Sequence, residues 1–534
     1  MKRISLLTII LMLLSPSVMT VQAQLLRETA HVVTDKALYL TGERLHVSIC
    51  ITGNDGRPSG VSRVAYVELS DPQRICAQGL VALTDGCGWA DITLPATMHS
   101  GNYLMSVYTR AMRNASTETF CQKVVSVINA THISRQDAVE YSDPVIMAPD
   151  SLSAGVDSVE HFALPATYPV IIQPSALALD DVPLFGALSV SSCELEAADY
   201  SSFRPALRPM PVDVSGALLQ PEVEGHLVTA RPVERGKECE LTRLVLVGKA
   251  AAVYDGQLQP DSSYIYYTTG LYGTLPTLIN GYDFAGNPVP MELQSPFARV
   301  LPQSMPPLRV AGTADGLLAR SLRAQQDQAI TDWMAMDTVA HNTQYQASSP
   351  HYFYDLEEWT RFNTVREILV EFVMGVRRQK SHGVNKLYTF DPASHSYSEW
   401  PALVLLDGMP VYDVDEILDY DAHLLRYVQI YTDKYSFGGS FCQGIISFIS
   451  ERGRLPNFKL DAGSRMVSYP FPQDHPLPLL PASAQSGTLL WQPDLRQARP
   501  EFALPTVPGL YQALYEGLDA DGMPFRRVMR FEVR

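Results

Sequence analysis

The stretch Pro401–Ile449, PALVLLDGMPVYDVDEILDYDAHLLRYVQIYTDKYSFGGSFCQGIISFI, decides how the rest of the chain is read. Leu403–Leu406 is a short apolar run that stops at Asp407-Gly408-Met409-Pro410, a dense cluster of turn residues. A short helix over the following acids leads to a strand at Tyr427–Tyr431. Gly438-Gly439 then turns the chain into another strand, Gly444–Ile449. Strand, turn, helix, strand, turn and strand in about fifty residues describe a small α/β module.

The order of these pieces resembles the plug domain of TonB-dependent outer-membrane receptors, in which a "DG-x-P" turn, a "V-x-I-Y" strand and a "G-I-I-x-F-I" strand follow one another. A plug fills a transmembrane barrel, and the smallest bacterial barrels need about eight strands of roughly 9–11 residues each. Only about 85 residues follow Ile449, and eleven of them are prolines, which central strands tolerate poorly. The resemblance therefore implies a plug-like module without its barrel, suited to binding or assembly. It also implies that the Asp407–Asp413 and Phe437–Cys442 loops are the contact regions, because such turns lie at sheet ends. The residues carried over are Asp407, Gly408, Pro410, Tyr412 and Asp413 from the first loop, and Phe437, Gly438, Gly439 and Phe441 from the second.

Lys2 and Arg3, an apolar run from Ile4 to Leu14 and small residues up to Val21-Gln22-Ala23 read as an export signal, 1–23. The run is shorter than the ~20 residues a membrane-spanning helix needs, and no other stretch is long and apolar enough. A formal net charge of −16 argues against nucleic-acid binding through bulk electrostatics. The seven cysteines include no C-x-x-C pair. Four of them (Cys50, Cys76, Cys87 and Cys121) fall in one proposed domain, where export permits a bridge.

Residues 24–129 alternate apolar and polar in short runs, with Leu45, Val47, Ile49 and Ile51 the clearest strand. The ordered motifs Thr34–Ile49, Val64–Pro72, Gly88–Pro95 and Gly101–Asn114 resemble an MG2 macroglobulin-type β-sandwich. Residues 130–217 read as an irregular β domain with strands near Tyr168–Ile172 and Leu184–Ser192. Residues 218–307 resemble a carboxypeptidase-regulatory-like sandwich. The plug-like domain, with a helical lead-in at 314–345, occupies 308–455. Within it Thr364 and Glu367 spell a capping box. Val365, Ile368, Leu369, Phe372, Val373 and Val376 recur at helical spacing, which puts Arg377, Arg378 and Lys380 at the helix C-terminus. Residues 456–486 read as a Pro-rich linker, and 487–534 as a C-terminal β segment around an Asp521-Gly522 hairpin turn. That segment either stands alone or completes an adjacent sheet. The fold class expected is mainly β and multidomain: tandem Ig- or macroglobulin-like sandwiches, then a plug-like α/β domain and a small β tail. The series resembles exported Gram-negative envelope proteins that combine an MG2 domain with a plug-like domain.

Catalytic patterns are missing: no H-E-x-x-H, G-x-S-x-G, P-loop or G-x-G-x-x-G occurs. Cys442-Gln443-Gly444 does not match the C-x-E-Q loop of thioester macroglobulins. Asp413, Asp415, Glu416, Asp419 and Asp421 supply oxygen ligands but lack the turn glycine of a calcium loop, and read as a helix start. Glu28–Val33 reads as an edge strand rather than a segment captured by TonB. No enzyme activity, cofactor or metal is expected. The expected role is docking to an outer-membrane or other envelope protein, in the periplasm or at the outer membrane. The alternatives are glycan or peptide binding through Tyr264, Tyr266, Tyr267, Tyr272 and Tyr282, and macroglobulin-like protease inhibition.

Overall fold

A computed structural model describes residues 27–131, 139–142, 153–154, 159–163, 169–193, 195–208, 219–248, 252–312, 317–337, 349–381, 383–437, 440–451, 453, 455–460, 462–474 and 487–534. The proposed export signal, Gly438, Gly439 and most of the Pro-rich stretch lie outside the described residues. The protein is mainly β, built from several sheets.

The first sandwich contains β1 (Thr29–Thr34), β2 (Leu38–Leu40), β3 (Arg44–Thr52), β4 (Val64–Ser70), β5 (Ile75–Ala82), β6 (Cys87–Thr93), β7 (Gly101–Thr109) and β8 (Cys121–Ile128). One sheet runs β1-β3-β6 and the other β2-β8-β7-β4-β5. The alternating residues Leu45, Val47, Ile49 and Ile51 of β3 enter the core between them with Tyr39, Tyr66, Val107 and Tyr108. A period of two predicts that the intervening residues face water, yet His46, Ser48 and Cys50 are buried as well. The cause is a second layer: Trp491 stacks on His46, and Ser48 Oγ donates to the Pro493 carbonyl.

That layer is a second sandwich assembled from distant parts of the chain. Its sheet pairs Phe185–Ser192 with both Thr488–Gln492 and Gly509–Leu518, and Gly509–Leu518 with Pro524–Val533. Val159–Phe162 adds in parallel to Pro524–Val533. The C-terminal strands thus complete a sheet begun by residues in the 153–192 region. Their hairpin turns at Asp519–Gly522, where the Asp519 carboxylate accepts from the Asp521 and Met523 amides and Gly522 has φ +79°.

A third sandwich has the sheets Gln257–Leu258/Tyr264–Tyr267/Leu227–Pro232/Met291–Leu293 and Ala252–Asp255/Leu241–Leu246/Thr274–Tyr282/Arg465–Pro470. Its last strand comes from within the stretch that reads as a linker in sequence. Proline at 470 is tolerated because this strand is the sheet's edge. Val245, Val247, Val253 and Leu278 on the outer face join the core of the fourth unit, so the two are packed as one body of apolar side chains.

The fourth unit is a five-stranded sheet in the order Tyr352–Asp355, Leu425–Phe437, Ser440–Ser450, Leu403–Leu406, Met409–Pro410. Leu403–Leu406 runs parallel to Ser440–Ser450 and the other pairs are antiparallel. Helices Val365–Glu371 and Val414–Leu418 cover it. The Thr364–Glu367 capping box is formed as read. The helix is shorter than its apolar spacing suggests, because Phe372 leaves helical geometry and Gly375, at φ +81°, reverses the chain. Arg377, Arg378 and Lys380 therefore lie on the strand Val376–Ser381 and not at a helix end. The Arg377 guanidinium sits 4.4 Å from the Tyr397 ring centroid and 5.5 Å from that of Tyr388.

The helix Leu317–Asp337 docks on the first sandwich through Leu317, Leu38 and Leu40, an Arg320–Glu43 ion pair at 2.8 Å and a Ser321 Oγ bond to the Thr41 carbonyl. Beside it the buried Asp35 carboxylate accepts from Tyr39 Oη (2.6 Å) and the His46 amide (3.2 Å), pairs with Lys36 (3.2 Å), and meets Thr488 Oγ1. Burial alone pushes both acids up. Lys36 and His46 charge with the hydroxyl bonds outweigh it for Asp35, and Arg320 and Lys36 do so for Glu43, so both end below their ordinary values of 3.8 and 4.5. A depressed folded pKa contributes stability above the unfolded pKa and loses it as pH falls through the folded one. Urea midpoints are thus expected to be flat above about pH 5 and to fall steadily below about pH 4. A midpoint unchanged down to about pH 3 would show that this pair of acids does not hold the helix and second sandwich in place.

Candidate docking surface

The sequence-selected residues other than Gly438 and Gly439, which lie outside the described residues, have definite places. Asp407 ends the strand Leu403–Leu406 and is buried, at φ +49°. Its carboxylate accepts from the Ser450 amide (2.7 Å), Ser450 Oγ (2.7 Å) and the Leu455 amide (2.8 Å). Gly408, at φ +82°, continues the turn, and Pro410 is buried in the short strand that folds back on Leu405 and Leu406. Tyr412 is exposed and its hydroxyl meets Arg243 of the third sandwich. Asp413 caps the helix Val414–Leu418 by accepting from the Asp415 amide at 3.0 Å. This loop is a structural anchor between two units.

The second loop lies elsewhere. Phe437 pairs with Ser440 at the tip of the long hairpin, where Phe441 is 85% exposed. Leu406 is level with Phe448 in the parallel register, so Asp407 and Ser450 mark the opposite end of the sheet. At strand rise the tip and the Asp407 turn are roughly 30 Å apart. The geometry does not bring the two sequence-selected loops together. Near the tip, Gln443 Oε1 accepts from the Glu399 and Trp400 amides, and the Trp400 ring is exposed.

A different surface was not legible in the sequence. The strand Tyr352–Asp355 is the edge of the five-stranded sheet, paired with Leu425–Phe437 and with no strand on its other side among the described residues. Edge strands present unpaired N–H and C=O groups that accept an added strand. On one face of this edge, Tyr354 Oη accepts from the Met374 amide at 2.8 Å, and Trp359 stacks on Phe372 with centroids 4.6 Å apart. Val370 and Met374 beside that stack are 73% and 70% exposed, and Phe353 on the other face is 53% exposed. The apolar helical spacing seen in sequence includes Phe372 but gives no sign that Val370 and Met374 are left uncovered.

The remaining candidates resolve into local structure. Asp421 caps a turn through the His423 amide, Asp419 and Asp415 face Arg366, and Asp415 also accepts from Asn385. Among the described residues no group of three or more His, Cys, Asp or Glu is placed to hold a metal ion. Of the tyrosines, Tyr264 and Tyr266 are buried, with hydroxyls bonded to the Cys239 backbone and to Thr242. Glu28 is buried beneath Ser62 and Thr109, and β1 pairs along its length with β3. No helix among the described residues is long and apolar enough to cross a membrane.

No family model matches the chain, and no curated protein matches it in sequence. Among solved structures it is similar to Escherichia coli alpha-2-macroglobulin activated by porcine elastase, at 9% identity and TM-score 0.17, over 95% of this chain and 31% of that one. A mutant Salmonella alpha-2-macroglobulin aligns at 7% identity and TM-score 0.17, over 95% and 23%. Dimeric latent PorU from Porphyromonas gingivalis aligns at 9% identity and TM-score 0.16, over 95% and 34%. The chain spans about a third or less of the length of each of these proteins.

Proposed function

We propose that this chain is a non-enzymatic protein of the Gram-negative cell envelope whose plug-like α/β unit, carried on β-sandwiches, docks onto an outer-membrane or other envelope protein. The observation that carries the reading is the edge strand Tyr352–Asp355, with no strand on its outer side among the described residues and with Phe353, Val370 and Met374 exposed around it. An extended segment of the partner would add to the edge through main-chain hydrogen bonds, and the apolar side chains beside it would supply specificity. Of the five tyrosines considered for glycan binding, Tyr264 and Tyr266 are core residues and Tyr272 is exposed.

The test is affinity recovery of the tagged chain from solubilised envelopes, with partners identified by mass spectrometry. Val370→Asp/Met374→Asp changes only exposed positions, where stability shifts by about 0.5 kcal/mol or less per site. Recovery of a specific partner by the wild type, lost at least about tenfold in this variant, is the expected outcome; a charged group placed in an apolar contact costs that much or more. Phe284→Asp, equally exposed but on the third sandwich, serves as control. Equal recovery by all three proteins, or no specific partner, would sink the proposal.

A further inference from the structure

Cys50 on β3 and Cys87 on β6 are directly opposed in the antiparallel register. The pair is a non-hydrogen-bonded one. The Cys87 amide donates to the Thr84 carbonyl and its carbonyl accepts from the Thr84 amide, while the Ile51 amide donates to the Gly86 carbonyl one step along. Such pairs hold their Cα atoms about 4.5 Å apart, within the span a disulfide bridges. The two sulfurs are 3.2 Å apart and share a hydrogen bond. Both side chains are buried in an apolar cluster with Val33, Phe185, Ala187, Trp491 and Leu518, of which all but Val33 belong to the second sandwich.

We propose that Cys50 and Cys87 form a disulfide that ties β3 to β6 at the floor of the contact between the first and second sandwiches. The chain between them leaves one sheet, forms β4 and β5 in the other, and returns. The bridge would close that excursion into a loop and remove its freedom in the unfolded state. The oxidant is a protein disulfide of the thiol-oxidoreductase class, found in oxidising compartments, and the proposal rests on the exported reading for that supply alone. One cysteine thiolate attacks the oxidant's disulfide and expels the first thiolate. The second cysteine thiolate then attacks the mixed disulfide and expels the other. Two thiols of the chain lose two electrons and two protons, and the oxidant leaves as a dithiol. The hydrogen bond to Cys50, with Arg496, holds the Cys87 thiol below its ordinary value against the push of burial, and Cys50 is raised in turn. Since the second sandwich walls in the sulfurs, exchange must precede its packing, and the finished bridge must resist reductant until the protein unfolds.

The experiment unfolds the full chain in denaturant with an alkylating agent and no reductant, then maps the digest by mass spectrometry. It is run on protein refolded in a glutathione redox buffer and on protein isolated from envelopes. Five alkylated cysteines and a Cys50–Cys87 crosslinked peptide in both samples are expected. Native protein should keep the bridge in reductant, and unfolding followed by reduction should lower the apparent Tm on refolding by roughly 5–10 °C. Seven alkylated cysteines, or a bridge between other cysteines, in the refolded sample would overturn the pairing. A bridge in the refolded sample with seven free thiols in cell-derived protein would overturn the exported compartment, and with it the bridge as a native feature. Cys50→Ala/Cys87→Ala should show the same Tm with and without reductant; a reductant-dependent shift in this variant would contradict the assignment.

Discussion

Replacing Asp407 by alanine should destabilise the fourth unit by about 3–5 kcal/mol, enough to unfold a marginal domain. The carboxylate accepts from three buried donors: the Ser450 amide, Ser450 Oγ and the Leu455 amide. Each donor stranded away from water costs about 1–3 kcal/mol. The turn also holds the unit to its neighbour, because the Asp407 carbonyl accepts from the Gly248 amide at 2.7 Å and its amide donates to the Phe448 carbonyl at 2.8 Å. Those main-chain bonds survive the substitution, which isolates the carboxylate. Backbone strain is separated by a second variant. Asp407 sits at φ +49°, where glycine is freer than alanine by about 1 kcal/mol. Asp407→Gly should therefore recover only about that much of the loss. Urea unfolding followed by intrinsic fluorescence reads both. A loss under about 1 kcal/mol for Asp407→Ala would mean that the register of Leu403–Leu406 against Ser440–Ser450 is held by packing alone. A loss that Asp407→Gly fully restores would assign the effect to the backbone.

What the sequence carried was local. The alternation in β3, the Thr364–Glu367 capping box and the Asp521-Gly522 turn each depend on residues a few positions apart, and each forms. Pairings across hundreds of residues left no mark. Phe185–Ser192 bonds to Gly509–Leu518, and neither segment encodes its partner. The same holds for Arg465–Pro470 in the third sandwich, hidden by the prolines around it. Val376 continues the apolar helical rhythm into what is a strand, because one glycine at positive φ outweighs periodicity. The candidate contact loops were chosen as turns at sheet ends, but the ends differ: parallel pairing of Leu403–Leu406 with Ser440–Ser450 sends them to opposite sides. The exposed apolar group at Val370 and Met374 depends on which neighbours fail to cover it, a tertiary fact with no sequence signature.

The fourth unit can hold its edge strand in a fixed direction only if the sandwiches beneath it keep their angle, and Glu222 bonds across the contact between two of them. It is fully buried between the first and third sandwiches. Oε2 accepts from Tyr66 Oη of β4 at 2.8 Å, and Oε1 meets His226 Nδ1 at 2.9 Å and the Leu227 amide at 2.8 Å. His226 Nε2 in turn meets Tyr469 Oη at 2.9 Å, on the strand Arg465–Pro470. Burial first, and the Glu222 charge second, push the Tyr66 and Tyr469 phenols above their ordinary values, so both remain hydrogen-bond donors at neutral pH. Glu222→Ala leaves the Tyr66 hydroxyl, the Leu227 amide and the imidazole without their acceptor, and about 3–5 kcal/mol should be lost. Tyr66→Phe removes one of these donors and should cost about 1–2 kcal/mol. In the double variant that donor is no longer stranded, so the two losses should add to less than their sum by at least about 1 kcal/mol. Strict additivity would mean that Glu222 acts within the third sandwich only. Coupling would tie it across the contact, and the Glu222→Ala protein should then show looser docking of the two sandwiches, read as faster proteolysis between Asn114 and Leu219, where their side-chain and backbone groups are now bonded.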